Sequence, residues 1–167
     1  MHGVIEGREG TCELLRFEQL HEQPAIAHGV FTRRGGVSAA PFDSLNASAS
    51  TGDRPDAVWQ NKARIATAIG LPLVGARCVH GANVLEVRPD SAPGAASEVS
   101  WQARLRAREA DAMITDVPGF ALFWSFGDCA PILLYDPRHQ AIALVHAGWR
   151  GTAQAAVVRA VEAMRAR

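Results

Sequence analysis

Cysteine is scarce in this sequence, and neither sign of charge is in excess. Three cysteines among 167 residues are too few, and odd in number, for a disulfide framework, so we predict a chain that folds in a reducing compartment. Lysine plus arginine and aspartate plus glutamate number 17 each, which leaves no cationic excess to neutralise nucleic-acid phosphates. The composition therefore predicts no nucleic-acid partner.

Long apolar runs are absent as well. No run approaches the roughly 20 residues that span a bilayer, and residues 1–10 lack the apolar centre of a secretory signal peptide. We therefore predict a cytoplasmic protein with no membrane partner. The chain is 48% hydrophobic and 20% charged, a balance typical of a globular domain, and we predict a single domain over residues 1–167.

Strand-like runs outnumber helical ones. The last third predicts four strands, at 112–115, 120–126, 131–135 and 140–146, with two more expected at 12–17 and 26–31. Helical spacing predicts one helix between Asp53, as its N-cap, and Gly70, and another from about Thr152. Residues 89–100 are rich in Ser, Ala, Pro and Gly and predict a surface insertion. The expected fold class is α+β, with a mixed sheet flanked by helices.

Two short segments carry most of the chemical information. One is Gly-Asp-Cys-Ala-Pro at 127–131, and the other is His-Ala-Gly-Trp-Arg-Gly at 146–151. Each follows or ends a strand-like run, so Cys129 and His146 can converge on one point. His80, followed by Gly81, ends another such run. One thiol and two imidazoles form a soft ligand set that suits zinc or an activated thiolate.

The two cysteines near the predicted site also have an ordinary structural interpretation. A buried cysteine is usually a small hydrophobic residue, but Gly127 and Pro131 bend the chain around Cys129 and favour a functional role. Cys78 lies two residues before His80, on the same face of a strand, and is an alternative ligand to Cys129. Because Cys78 sits within an apolar run, it is the less favoured of the two.

Two further segments suggest anion binding. Arg150, together with free backbone N–H groups at the helix start near Thr152, predicts an anion site. Arg33 precedes the pair Gly35 and Gly36, whose N–H groups predict a concave nest in which the guanidinium clamps an oxyanion. A surface turn with an exposed arginine explains the second segment equally well.

Seven separated blocks of the sequence form an ordered set. In chain order they are 32–38, 44–46, 52–53 with Asn61, 79–81, 110–112, 128–131 and 146–151. Each block is weak alone, but the ordered set is specific. Together the blocks resemble the YfiH/PgeF family, also described as polyphenol oxidase or multicopper laccase-like and related to the mammalian laccase-domain protein.

The resemblance implies a mixed-sheet α/β fold and three zinc ligands, which fall on His80, Cys129 and His146. Three protein ligands leave a fourth position open, which is the catalytic pattern for zinc. Copper is the less favoured metal. The implied activity is a purine nucleoside phosphorylase for adenosine, inosine, guanosine and methylthioadenosine, with adenosine deaminase activity.

The resemblance also distributes the remaining roles. Phosphate or ribose binding falls on Arg33, Ser38 and Asn46, and the implied partners are a purine nucleoside and phosphate. Cys129, His146 and Arg150 are the expected catalytic residues, with Arg150 stabilising the anion.

Three departures from the family pattern accompany the match. Cys78 and Val79 stand where the family usually carries Gln-Val before its His-Gly, Gly127 replaces a usual Ala, and the sequence ends before further strands of the family. We therefore expect a C-terminally truncated member that lacks those strands. Two rival hypotheses remain: a metal-free cysteine hydrolase with Cys129 as nucleophile and His146 as base, and a non-catalytic remnant with an incomplete site.

Overall fold

The structure of the chain is a computed structural model that describes residues 3–88, 106 and 108–167. Within these residues it contains nine strands and four helices, arranged in two compact units, Met1–Leu73 and Val74–Arg167. The expected insertion at 89–100 lies outside the described residues. The single domain over residues 1–167 stays a prediction, and each unit is described below by itself.

The first unit contains an antiparallel sheet of three strands in the order β1-β2-β3, namely β1 Val4–Glu9, β2 Cys12–Phe17 and β3 Val30–Phe31. The helix α1 Glu18–His21 follows β2. The predicted strand at 12–17 is confirmed, whereas the strand predicted at 26–31 is wrong except for its last two residues. The reason is that the His28 ring nitrogen Nε2, rather than a strand carbonyl, accepts the N–H of Phe17 at 2.9 Å.

The long helix of this unit is α2 Pro55–Ile69, which begins with proline at its first position and ends before Gly70, as predicted. Its N-cap residue is Arg54, so the prediction of Asp53 as the cap is wrong. The Asp53 carboxylate instead accepts hydrogen bonds from the Arg54 N–H at 2.7 Å and from Asn46 Nδ2 at 2.9 Å. Asp53 therefore ties the preceding loop to the start of the helix.

The second unit is built on a mixed sheet of four strands in the order β5-β6-β9-β8. The strands β5 Val84–Glu86 and β6 Ala112–Thr115 are parallel, and β9 Ala141–Ala147 lies antiparallel between β6 and β8 Ala130–Asp136. The predicted mixed sheet is thus confirmed.

Two short strands, β4 Leu73–Val74 and β7 Ala121–Leu122, pair with each other in a separate two-stranded sheet. The Phe123 N–H donates to the Val74 carbonyl at 2.8 Å. The strand predicted at 120–126 shrinks to two residues, and the Trp124 indole beyond it donates to the Ala76 carbonyl at 2.7 Å. The chain therefore leaves strand geometry before it reaches the Gly-Asp-Cys segment.

The chain after β9 forms two helices, α3 Trp149–Ala153 and α4 Ala156–Arg165. The helix predicted from about Thr152 therefore begins earlier, and it is broken at Ala155, whose φ of 59° is left-handed. Alanines at 156 and 160 are buried against Ala112 and Val145 of the sheet, because their small side chains permit close approach. None of the helices in the described segments is long and apolar enough to cross a membrane.

A buried histidine in the first unit predicts a pH-dependent stability. His28 is 8% exposed, its Nε2 accepts the N–H of Phe17, and burial lowers its pKa from 6.5. Above pH 6.5, His28 is mostly neutral in both the folded and the unfolded chain. As the pH falls below 6.5, His28 becomes protonated in the unfolded chain before it does so in the folded chain. The free energy of unfolding should therefore fall as the pH drops below 6.5, by at most about 1.4 kcal/mol per pH unit.

The measurement is urea unfolding between pH 7.5 and 5.5, compared with His28→Gln, which keeps an acceptor but does not titrate. The difference between the two proteins isolates His28 from the other histidines. The expected result is a shallower pH dependence in His28→Gln, and identical slopes would contradict the prediction.

Candidate metal centre

The antiparallel pairing of β8 with β9 brings the two chemistry-bearing segments together. Because Pro131 lies opposite His146 in the ladder, the start of β8 and the end of β9 share one edge of the sheet. Cys129 immediately precedes β8, and His146 is the second-last residue of β9. His80 lies in the connection between β4 and β5, in a left-handed conformation with φ of 59°.

Three side chains converge at this edge. Ligand atoms of Cys78, His80 and His146 all lie within 4.8 Å of one another, and the two imidazole rings meet edge to face with centroids 5.0 Å apart. We call this set the Cys78–His80–His146 cluster. The convergence of His80 and His146 agrees with the sequence interpretation, and the thiol in the cluster is that of Cys78.

His146 has an unsatisfied polar atom that fits a metal ligand. The residue is 6% exposed, and within the described part of the chain its buried Nδ1 has no hydrogen-bond partner. Buried polar nitrogens normally have a partner, since losing water without one is unfavourable. A metal ion bound by one thiolate and two imidazoles would satisfy this nitrogen, and such donors suit zinc or copper.

Gly148 lies next to both the Cys129 thiol and the His146 ring. A Cβ placed on Gly148 would lie 3.0 Å from Cys129 Sγ and 3.8 Å from Cε1 of His146. Both side chains therefore border the same glycine, whereas the thiol within 4.8 Å of the two histidines is that of Cys78. The assignment of Cys129 as the sulfur ligand stays a prediction beside the alternative, Cys78.

Burial favours the uncharged form of both candidate thiols and of the His146 imidazole. It raises the pKa of Cys78, with the Asp111 carboxylate adding to the effect, and it raises the pKa of Cys129, with Asp128 adding. Burial also lowers the pKa of His146, and His80 lowers it further. Without a metal, the thiols are therefore protonated and the His146 imidazole is neutral near pH 7, so metal binding would release a thiol proton.

Two aromatic side chains hold the His146 ring. Phe126 stacks on it with ring centroids 5.4 Å apart and an interplanar angle of 16°, and Trp124 approaches edge-on at 6.4 Å. These contacts restrict rotation of the imidazole. The sequence analysis did not identify Phe126 as a site residue. The feature that could have indicated it is an aromatic residue directly before the Gly-Asp-Cys turn.

Arg150 follows the cluster closely in the chain. It lies in the first turn of α3, after the N-cap Gly148, and its guanidinium carbon is 5.1 Å from the centroid of the Trp149 ring. Trp149 is 77% exposed, so the stacked pair faces solvent. The anion-stabilising role of Arg150 stays a prediction.

Arg33, the predicted phosphate-binding residue in the first unit, is held by Asp43. Its Nε donates to the Asp43 carbonyl at 2.7 Å, and Nη2 approaches Oδ2 at 3.4 Å, while the side chain remains 69% exposed. Of the two glycine N–H groups proposed to form an anion nest, that of Gly36 donates to Ser44 Oγ at 3.1 Å. Arg33 thus remains accessible to an anion, whereas the Gly36 N–H is already engaged.

Ser38 and Asn46 belong to a hydrogen-bond network centred on Asn61. Asn61 is fully buried, and its Nδ2 donates to Ser38 Oγ at 2.8 Å and to the Asn46 carbonyl at 2.8 Å. Hydrogen bonds from Ser38 and Asn46 lower the pKa of Asp53. We call Ser38, Asn46, Asp53 and Asn61 the Asn61 network. It shapes the loop that carries the predicted phosphate- or ribose-binding residues.

Comparison with known proteins identifies the family. The family model for multi-copper polyphenol oxidoreductase laccases matches residues 27–167. The purine nucleoside phosphorylase of Mycobacterium tuberculosis is 42% identical over 137 residues, covering 80% of this chain and 50% of that protein. That of Deinococcus radiodurans is 38% identical over 143 residues, covering 84% of this chain and 50% of its own length.

Solved structures show the same fold. YlmD from Geobacillus stearothermophilus matches with a TM-score of 0.78 and 30% identity, covering 98% of this chain and 59% of that one. YfiH from Bacillus licheniformis matches with a TM-score of 0.76 and 26% identity, covering 92% and 55%. The chain thus spans about half the length of the curated relatives it matches. It belongs to the YfiH-like family of multi-copper polyphenol oxidoreductase laccases, as its ordered sequence blocks predicted.

Proposed function

We propose that this chain acts in a zinc-dependent phosphorolysis of purine nucleosides. The observation that carries the proposal is the convergence of the His80 and His146 imidazoles in the Cys78–His80–His146 cluster, with a buried imidazole nitrogen that lacks a partner in the described residues. The names of the relatives, purine nucleoside phosphorylase, supply the reaction class. Adenosine, inosine, guanosine and methylthioadenosine are the proposed substrates, and deamination of adenosine is a proposed second activity.

His80, His146 and one cysteine would hold the metal. Bound zinc supplies a Lewis acid, which polarises a substrate oxygen or lowers the pKa of a water molecule. Copper is less favoured, because a multi-copper centre needs several ligand groups and the described residues contain one group of three suitable donors. Reduction of oxygen is therefore not part of the proposal.

The remaining residues would bind and orient the substrates. In phosphorolysis a phosphate oxygen forms a bond to the ribose C1′, the C1′–N bond breaks with its electron pair on the purine, and the purine takes up a proton. The products are a free base and ribose 1-phosphate, or 5-methylthioribose 1-phosphate when the substrate is methylthioadenosine. Arg33 is the proposed phosphate-binding residue, since its cationic side chain is 69% exposed, and Ser38 and Asn46 would place the ribose. Arg150 would stabilise the anionic charge.

The geometry gives little support to a metal-free cysteine hydrolase. A thiol nucleophile needs an imidazole base within hydrogen-bond reach, and within the described residues the buried Nδ1 of His146 accepts no hydrogen bond from the Cys129 thiol. The hydrolase hypothesis also predicts rapid alkylation of Cys129 without metal, whereas bound zinc would protect the thiol until a chelator is added.

The two cysteines are expected to differ in their contribution to metal affinity. Cys78 Sγ lies 3.7 Å from Oδ1 of Asp111, a fully buried carboxylate whose charge opposes a thiolate there. Asp128, beside Cys129, is exposed and therefore screened by water. We expect Cys129→Ala to weaken zinc binding by at least about 100-fold and the matched Cys78→Ala by less than about threefold.

Zinc titration against a chromogenic chelator measures both dissociation constants. A larger loss in Cys78→Ala than in Cys129→Ala would reverse the assignment and make Cys78 the sulfur ligand.

The function itself is tested by product analysis. Purified 167-residue chain is incubated with each nucleoside, with and without phosphate, and free base, ribose 1-phosphate and inosine are quantified. The proposal expects base and ribose 1-phosphate only when phosphate is present, and loss of turnover after chelation. Bound zinc without any turnover would instead support the non-catalytic remnant.

A further inference from the structure

We propose that Asp111 is a positioning residue that holds the His80 loop, residues 78–83, against the strand that carries His146. The proposal rests on the metal site proposed above. Ala110-Asp111-Ala112 is one of the blocks that mark the family resemblance, but no role in the reaction has been assigned to it so far.

The Asp111 carboxylate is the internal support of the His80 loop. It is fully buried and accepts the N–H of Val79 at 3.2 Å on Oδ1 and the N–H of Asn83 at 3.0 Å on Oδ2. The Cys78 thiol points at Oδ1 from 3.7 Å. These contacts bracket His80 on both sides along the chain, so the carboxylate fixes the two ends of the segment that carries the imidazole.

The backbone of the same residue fixes the other histidine. The Asp111 carbonyl accepts the N–H of His146 at 2.8 Å, and the Asp111 N–H donates to the Asn83 carbonyl at 2.8 Å. One residue therefore connects the strand position of His146 with the loop position of His80. This connection sets the separation of the two imidazoles.

The conformation of the loop requires such a support. His80 has a φ of 59°, which is uncommon for a residue other than glycine and persists only where its surroundings enforce it. The next residue is glycine, and a Cβ placed there would lie 3.1 Å from Asp111 Oδ2. The loop is thus folded tightly onto the carboxylate, with little room for a side chain at position 81.

The chemistry of the contacts selects aspartate. Both carboxylate oxygens accept backbone N–H groups, one from each end of the loop, and a carboxylate offers only acceptors. An asparagine at this position would offer one acceptor and one donor, so its amide N–H would face one of the two backbone N–H groups. Asp111→Asn therefore preserves size while removing one of the two attachments.

Thr115→Val is the matched control. Thr115 is the last residue of β6, the strand that Asp111 immediately precedes, and it is 1% exposed. Its hydroxyl donates to the Val87 carbonyl at 2.9 Å and accepts the N–H of Val117 at 3.0 Å. It is thus a buried side chain that holds neighbouring backbone but, among the described residues, makes no side-chain hydrogen bond to the His80 loop, and its loss reports the effect of destabilisation alone.

The first readout needs no metal and no activity. Amide hydrogen exchange of Val79 and Asn83 is measured in the metal-free full chain. Asp111→Asn is expected to accelerate exchange at one or both amides by at least about tenfold relative to the unmutated chain, and Thr115→Val should leave both unchanged. Unchanged protection in Asp111→Asn would overturn the proposal, even if the chain proved to bind no metal and the proposed function failed.

The second readout is zinc affinity in a double-mutant cycle. Asp111→Asn is expected to weaken zinc binding by about 10- to 100-fold, while Thr115→Val stays within about threefold. In a His80→Ala background, Asp111→Asn should cause almost no further loss, because its effect passes through His80. An equal loss in both backgrounds, or an equal loss in Thr115→Val, would overturn the positioning role without touching the question of phosphorolysis.

Discussion

Replacing His146 by alanine is expected to lower kcat/KM for purine nucleoside phosphorolysis by at least about 10³-fold, since Lewis-acid stabilisation of a transition state is worth several kcal/mol. His146 combines a buried imidazole, a partnerless Nδ1 within the described residues and a position inside the 4.8 Å cluster. Its removal should also abolish zinc binding at micromolar concentrations. Initial rates of ribose 1-phosphate formation measure the first effect, and chelator competition measures the second.

His139→Ala is the matched control for this substitution. His139 is a solvent-facing histidine whose Nδ1 pairs with Asp136 at 2.8 Å, and its side chain is 44% exposed. We expect its loss to leave the rate and the zinc affinity within about twofold, as is usual for surface substitutions. Urea unfolding of both variants separates a folding defect from loss of the site. A folded His146→Ala protein with undiminished phosphorolysis would contradict the proposed mechanism.

Replacing Asn61 by alanine is expected to cost the first unit about 3–4 kcal/mol of unfolding free energy. The Asn61 side chain is fully buried; it accepts the N–H of Val37 at 2.9 Å and donates to Ser38 Oγ and to the carbonyls of Ser44 and Asn46. Alanine would leave several of these groups buried without a partner, at about 1–3 kcal/mol each and with incomplete additivity.

Two further variants make the Asn61 test specific. Asn61→Asp keeps the acceptor but places a charged oxygen against the carbonyls of Ser44 and Asn46, so it should destabilise at least as much as alanine. Gln60→Ala changes the adjacent, exposed position of α2 and should stay within about 0.5 kcal/mol. Urea unfolding with a signal from the first unit measures all three. A loss below about 1 kcal/mol in Asn61→Ala would refute a central role for the Asn61 network.

The periodic parts of the fold were predictable because they depend on local pattern. The apolar run at 140–146 and the helical spacing before Gly70 reappear as β9 and α2. The predicted strands at 131–135 and 140–146 also placed Cys129 and His146 at one edge, since consecutive antiparallel strands return to where they began. The errors fall where a side chain replaces a backbone partner, as His28 does for the N–H of Phe17.

The supports of the candidate site were not predictable, because they depend on contacts between distant residues. Asp111 contacts Val79 and Asn83, which lie about 30 positions earlier in the sequence. From its neighbours in the sequence alone, an aspartate before a strand cannot be distinguished from an ordinary turn residue. Asn61 likewise looks like one more polar residue in a helix until its partners at 37–46 are known. Cys78 was weighed as a ligand, but only the folded structure brings it within 4.8 Å of both histidines.

The proposed function depends on a metal ion held by His80 and His146. The metal content of the purified 167-residue protein and of His80→Ala can be measured by inductively coupled plasma mass spectrometry. We expect about one zinc ion per chain in the unmutated protein and a loss of nearly all of it in His80→Ala. A protein without bound metal after zinc loading, or an undiminished zinc content in His80→Ala, would refute the metal site.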